Sequence, residues 1–415
     1  MAASSPSFAL SRRGLLGAGL AAAGAAPALA RASGGIVRPP PISATERAAR
    51  IAKAQRLLQE RGLAALIVEP GSTMIYFCGV HWSLSERPTL LMIPREGAAE
   101  MVTPAFEESR LNELLGIPAG IRTWHEHEDP YALVADWLTA RKLASGKIAF
   151  DAGVRHFVSN GILRAAPSVV GVSGEPVVDG CRMIKSPAEI ALMQAATDIL
   201  IAAYRQVGPA ISAGMTGRDI SQAMNRAILA LGGEDPGGGA VVGAASSLPH
   251  GGIRLEPVGP GAVVLMDFAC RVQGYYADIS RTCVFGEPDA RVRRVWEDAR
   301  KGQEIAFEAA QLGRPAGEVD DAVRAYYRSR GYAPGYGTPG LTHRTGHGIG
   351  LDVHEPVNFV HGETTRLAPG MCFSNEPGIY DPGAFGVRIE DCLYMTEKGP
   401  RWFSRPPSSI DAPFG

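Results

Sequence analysis

Asp267, Asp278, His347, Glu376 and Glu390, all in the C-terminal half, are of the residue types that hold divalent cations. Carboxylates bridge two cations and offset their charge, and a single His adds a borderline-soft ligand. Such a set suits Mn, Fe, Co or Zn in a dinuclear hydrolytic centre better than a closed structural zinc site. Two cations so held acidify a shared water and polarise a carbonyl, which is the chemistry of hydrolysis. Singly, each residue has an ordinary explanation, since an Asp beside a turn is usually a turn former and a Glu in a strand usually faces solvent. The local contexts are MDFACRVQGYYADISRT for the aspartates, TGHGIGLDVHEP for the histidine, SNEPGIY for the first glutamate and GVRIEDCLY for the second.

The elements carrying these residues strengthen the set. If MDFAC and YADISRT are the arms of a hairpin turning at Gln273-Gly274, Asp267 lies opposite Ser280 and Asp278 opposite Ala269. Side chains alternate along a strand, so both aspartates project from one face, one cross-strand step apart. The same alternation puts Arg388, Glu390 and Cys392 on one face of GVRIEDCLYM. Carboxylates that close repel one another unless cations or protons lie between them.

On these residues the chain resembles the pita-bread metallopeptidases, the family of methionine aminopeptidase, aminopeptidase P, prolidase and the metal-free creatinase. The ligand order Asp, Asp, His, Glu, Glu is the family's. The aspartates are 11 apart and the later steps are 29 and 14, most similar to the prolidase and aminopeptidase P branch. His250 in SSLPHGG and His354 in GLDVHEP match the family's substrate histidines; His343 in THRTGH and Arg388 in GVRIED fall where the proline-specific branch places substrate contacts. The resemblance implies that Asp267 chelates one metal, that His347 and Glu376 hold the other, and that Asp278 and Glu390 bridge both. It implies further that Glu376 shuttles a proton from water to the leaving amine, while His250 and His354 hydrogen-bond the substrate and its developing oxyanion. The expected cofactors are two divalent metal ions, manganese first, with cobalt, iron or zinc as alternatives. The expected activity is hydrolysis of short peptides by an Xaa-Pro dipeptidase or aminopeptidase, as a homodimer. Two alternatives stand beside it: a same-fold non-peptidase, creatinase-like C–N hydrolase or lyase, acting on a small metabolite, and a binding protein with a relict site. The presence of His250, His354 and Glu376 together disfavours the last.

A length of 415 residues suggests two domains plus a tail. A net charge of −1 lacks the basic surplus of a nucleic-acid binder. At the N-terminus, Arg12-Arg13 precedes the apolar run GLLGAGLAAAGAAPALA, which ends in Ala28-Leu29-Ala30. This predicts a twin-arginine-like export signal over residues 1–30, too short and rich in small residues to be a membrane anchor, and a periplasmic or extracellular destination. Residues 31–41 read as a flexible lead-in.

A smaller α/β domain is expected over 42–180. A capping box, Ser43 to Glu46, opens a helix stopped by Gly62, strands follow at LAALIVE, TLLMIPR, AEMVTP and KIAFDAG, and DPYALVADWLTARKL is helical. His125 and His127 in WHEHEDP read as a polar loop, with no Cys or third His nearby. The catalytic domain is expected over 181–405, with 406–415 as a tail. Ser186-Pro187-Ala188-Glu189 caps a helix running to about Gln206, and a second helix spans Thr216 to about Leu231. After the hairpin come helices near 289–312 and 316–330, then the later ligand strands. Helix pair plus strands thus occurs twice. The pattern alone supports an α+β fold; the resemblance implies a pita-bread C-terminal domain, with a curved antiparallel sheet and pseudo-twofold halves, behind a creatinase-like N-terminal domain. The six cysteines read mainly as buried thiols, with a Cys78–Cys181 disulfide left open. His361 receives no role.

Overall fold

Leu63–Val68 is a run of six apolar residues, every one buried, as expected of a strand covered on both faces. It is β1 of a mixed sheet in the computed structural model, which describes residues 36–252 and 255–414. The export signal and residues 31–35 of the lead-in lie outside the described residues. The sheet also contains β2 (Leu90–Pro94), β3 (Glu100–Pro104), β4 (Gly120–Trp124), β5 (Lys147–Phe150) and β6 (Val170–Ser173), in the order β4-β3-β2-β1-β5-β6. Helices Ala44–Glu60 and Pro130–Ala140 pack on it. Ser43 Oγ accepts the Glu46 N–H as a cap should, but Glu46 does not close the capping box: its carboxylate goes instead to Arg50 and to Ser186 Oγ.

In the second half the long helices Pro187–Val207 and Gly217–Ala230 each open with a complete capping box and back a three-stranded antiparallel sheet. Its strands are β7 (Glu234–Val242), β8 (Val263–Val272) and β9 (Tyr275–Val284). A second helix pair, Ala290–Ala309 and Gly317–Ser329, precedes β10 (Gly346–Gly348), β11 (Glu355–Phe359), β12 (Cys372–Asn375), β13 (Ile379–Asp381), β14 (Phe385–Val387), β15 (Asp391–Thr396) and β16 (Gly399–Trp402). Five of these form the sheet β11-β10-β12-β15-β16, and β13 pairs with β14. GVRIEDCLYM is therefore not one strand. It breaks between β14 and β15, where Arg388 N donates to Thr282 Oγ1 and Glu390 N donates to Ser280 O, so the intervening residues lie along β9.

Side chains from both halves interlock. Arg50 donates to Tyr76 O and Tyr275 Oη and pairs with Glu189 at 3.3 Å; Ser72 Oγ donates to Asp352 at 2.6 Å. All six cysteines are buried free thiols, so the Cys78–Cys181 disulfide does not form; burial raises those thiols to about 12 and about 11. Among the described residues no helix is long and apolar enough to cross a membrane.

Candidate metal centre

The β8–β9 hairpin has the expected register, with Asp267 opposite Ser280 and Asp278 opposite Ala269. It turns at Gln273 and Gly274, both with positive φ, the geometry a two-residue hairpin loop requires. β7 approaches Asp267 so closely that a Cβ on Gly238 would sit 2.1 Å from the Asp267 carbonyl oxygen, so glycine is required there. Gly346 plays the same part beside His347, where a Cβ would meet Ser374 O at 2.2 Å.

The strands bring all five sequence-predicted ligand positions to one cavity of about 450 Å³, along with His250, His343, His354 and Arg388. Ligand atoms of Asp278, His347 and Glu390 lie within 4.8 Å of one another. His347 Nδ1 is 3.0 Å from Gly348 O, an acceptor only, so Nδ1 carries the proton and Nε2 presents its lone pair. That lone pair faces Glu376 Oε1 at 3.3 Å and Asp278 Oδ2 at 4.0 Å. Glu390 is 2% exposed, and its Oε1 is buried without a hydrogen-bond partner. A lone pair aimed at carboxylates and an orphaned carboxylate oxygen are both resolved by a cation, so the donor set fits divalent metal ions.

The electrostatics agree. Burial, then the charges of Asp267 and Glu376, hold the Asp278 carboxyl well above the usual carboxylate range. Burial, then Asp278, Glu376 and Asp267, do the same for Glu390. For Glu376 burial also opposes ionisation, yet the neighbouring imidazoles of His347 and His343 and the Arg388 guanidinium favour the carboxylate and bring it down to about 2. Burial, followed by the charges of His347 and Arg344, lowers His354 to about 4, and burial lowers His343.

Several neighbours carry no signal in the linear motifs. Ser280 Oγ lies 3.0 Å from Asp267 Oδ1 and 2.6 Å from Glu390 Oε2, and accepts from Arg388 Nε at 2.9 Å. The hairpin register already placed it opposite Asp267. Tyr380 Oη joins His343 Nε2 (3.0 Å) to Arg388 Nη1 (2.8 Å), and only the β13–β14 pairing brings it there. Arg388 Nη2 meets Asp267 Oδ2 at 2.5 Å. Thr342 and Arg344 also line the cavity. His361 belongs elsewhere: it ties its loop to Asp320 and Asp321. His125 and His127 stack in a loop whose start is capped by Glu128.

His354 forms a shared wall with a second cavity of about 360 Å³, lined among others by Ser72, Asp151, Asp179, Arg182, Asp352 and Glu355. Glu355 is buried between Arg182 (2.5 Å) and Lys185 (2.8 Å). Burial raises its pKa, but the charges of Lys185 and Arg182 prevail and bring it to about 2. A depressed folded-state pKa stabilises the fold at pH above the unfolded value of 4.5, and that contribution is lost as pH falls through about 2. The shift corresponds to about 3 kcal/mol. Urea midpoints of chelator-treated protein should fall between pH 4.5 and pH 2, and Glu355→Gln should flatten that part of the dependence; an unaltered slope would remove Glu355 as its source.

Comparison with known proteins accords with this geometry. Residues 191–397 match Metallopeptidase family M24, and residues 50–184 match the Creatinase/Prolidase N-terminal domain. A Mycobacterium tuberculosis protein named "Probable dipeptidase PepE" is 33% identical over 357 residues, covering 85% of this chain and 92% of the relative. The Xaa-Pro dipeptidase of Lactobacillus helveticus is 32% identical, covering 85% and 95%. The crystal structure of dipeptidase PepE from Mycobacterium ulcerans superimposes with a TM-score of 0.82 at 30% identity, covering 89% of this chain and 98% of that one. The chain accordingly has the pita-bread fold behind a creatinase-type N-terminal domain, and it belongs to metallopeptidase family M24.

Proposed function

We propose that this metallopeptidase is an Xaa-Pro dipeptidase or aminopeptidase acting on short peptides. The observation that carries the reading is the enclosure of four carboxylates and the His347 Nε2 lone pair in one cavity of about 450 Å³, a size suited to a small ligand. The names of the Lactobacillus relative and of the mycobacterial dipeptidases support it. In this reading Asp267, Asp278, His347, Glu376 and Glu390 would together hold the two ions. Two divalent cations, manganese first among the candidates, supply when bound the positive charge that ionises water near neutral pH and polarises the scissile carbonyl. Glu376 takes the water's proton on a carboxylate oxygen and delivers it to the leaving amine nitrogen. His250 and His354 hydrogen-bond the scissile region and its developing oxyanion, while His343 and Arg388, joined through Tyr380 Oη, shape the wall against which the remainder of the substrate packs.

A panel of Xaa-Pro dipeptides, longer Xaa-Pro peptides and peptides without proline tests the substrate. Turnover should be greatest on Xaa-Pro bonds, and metal removal by chelation should abolish it. Asp278→Asn should weaken metal retention by about 10–100-fold or more, read by elemental analysis, with activity falling in parallel. A fully metallated enzyme that cleaves no peptide would instead favour C–N hydrolysis or elimination on a small metabolite.

The reading extends to export by residues 1–30, supported by Arg12-Arg13 and Ala28-Leu29-Ala30, and to the homodimer that the family resemblance implies. Intact mass of the mature chain, expected to begin at Arg31, and its mass in solution test both; an unprocessed monomer would refute them.

A further inference from the structure

The cavity is lined by two arginines whose surroundings differ. Arg388 is 3% exposed, and four of its guanidinium's five N–H groups are taken, by Ser280 Oγ, Pro249 O, Tyr380 Oη and Asp267 Oδ2. It is built into the protein. Arg344 is half-buried on the opposite side of His343 in sequence from Thr342, and its guanidinium makes no hydrogen bond or ion pair with any described residue. Only its carbonyl oxygen is engaged, accepting from His343 Nδ1 at 2.7 Å. Of the two guanidiniums that line the cavity, Arg344's is the one without protein partners and so the one left to meet a ligand.

The chemistry of that partner follows from the donors. A guanidinium presents a planar fork that matches a carboxylate with two parallel hydrogen bonds. Charge permits the match once metals are bound. Four carboxylates face two guanidiniums in this cavity, and two divalent cations turn that deficit of two into a surplus of two. We propose that Arg344 binds a carboxylate of the peptide substrate and so selects peptides able to bring that charge into the cavity. This rests on the peptidase reading above. The carboxylate is either the C-terminus of a dipeptide or an acidic side chain, and the two sources are separable.

Arg344→Gln and Arg344→Lys should be assayed with Ala-Pro, Ala-Pro amide and Glu-Pro amide. If the C-terminus is the partner, Arg344→Gln lowers kcat/KM on Ala-Pro by roughly 10- to 150-fold, mainly through KM, as expected for loss of a charged hydrogen bond. The loss on Ala-Pro amide is at least tenfold smaller, and Arg344→Lys recovers part of it. A loss confined to Glu-Pro amide assigns the side chain instead. Equal losses on all three substrates, or none, overturn the proposal. Melting temperature should match the wild type, because Arg344 has no protein partner to lose. Equilibrium binding of proline and glutarate against prolinamide supplies a readout independent of turnover. A metallated wild type that cleaves nothing sinks the peptidase reading, whereas carboxylate affinities unchanged by Arg344→Gln sink this one.

Discussion

Glu376→Gln is expected to lower kcat by about 10²–10⁴-fold, the range for removing a positioned general acid–base group. The carboxylate sits 3.3 Å from His347 Nε2 at the end of β12, and Glu376 N donates to Thr345 O, which fixes the backbone. Although burial opposes its ionisation, the neighbouring imidazoles of His347 and His343 and the Arg388 guanidinium favour the carboxylate and bring it down to about 2. Glutamine keeps the shape and one acceptor oxygen but cannot carry the proton onward. Because Glu376 is also a proposed ligand, kcat should be read at saturating metal with the ion content measured alongside. Glu46→Gln, which touches only a helix start and its Arg50 and Ser186 contacts, should have a far smaller effect on turnover. A Glu376→Gln enzyme retaining kcat within about threefold at full metal loading would refute the proton-shuttle role.

Arg281→Leu or Asp391→Asn should each destabilise the protein by about 3–5 kcal/mol, the usual result of leaving one member of a buried ion pair alone. Arg281 is 2% exposed and Asp391 0% exposed, and they meet at 2.7 Å. Arg281 Nη1 also donates to Ser280 O and Glu390 O, and Asp391 accepts from Gln303 Nε2 and Ser404 Oγ. The pair therefore clamps β9 to the chain carrying Glu390. Replacing both residues with apolar ones should cost less than the two single losses combined, since neither charge is then stranded. Urea denaturation of the three variants decides; single losses under about 1 kcal/mol would show the pair to be solvated or dispensable.

How much of this was legible in the chain varied with the distance over which each residue finds its partner. The hairpin was readable residue by residue, because Gln273-Gly274 sets the register and strand alternation does the rest. The helix beginning at Pro187 announced itself through Ser186 and Glu189, three positions apart. Glu46 has the same spacing from Ser43, yet Arg50 and Ser186 compete for its carboxylate, and residue 186 is remote in sequence. The break in GVRIEDCLYM has a similar origin: the Arg388 N–H is taken by Thr282, 106 residues away, and no local pattern reports that. At the site, the residue types and spacings of Asp267, Asp278, His347, Glu376 and Glu390 marked a common chemistry. Which guanidinium is consumed by the protein and which is left over became visible only when the chain closed.

The interlocking of the two halves bears on modularity. Ser72 and Arg182 reach Asp352, Arg182 also reaches Glu355 next to His354, and Arg50 reaches Glu189 and Tyr275. A fragment beginning after Arg182 would keep every candidate metal ligand yet lose the Asp352 contacts and leave Glu355 with Lys185 as its remaining ion-pair partner, beside the histidine that walls the cavity. The N-terminal half thus braces the catalytic half, and grafting the metal-binding strands onto another partner domain would require rebuilding this seam first.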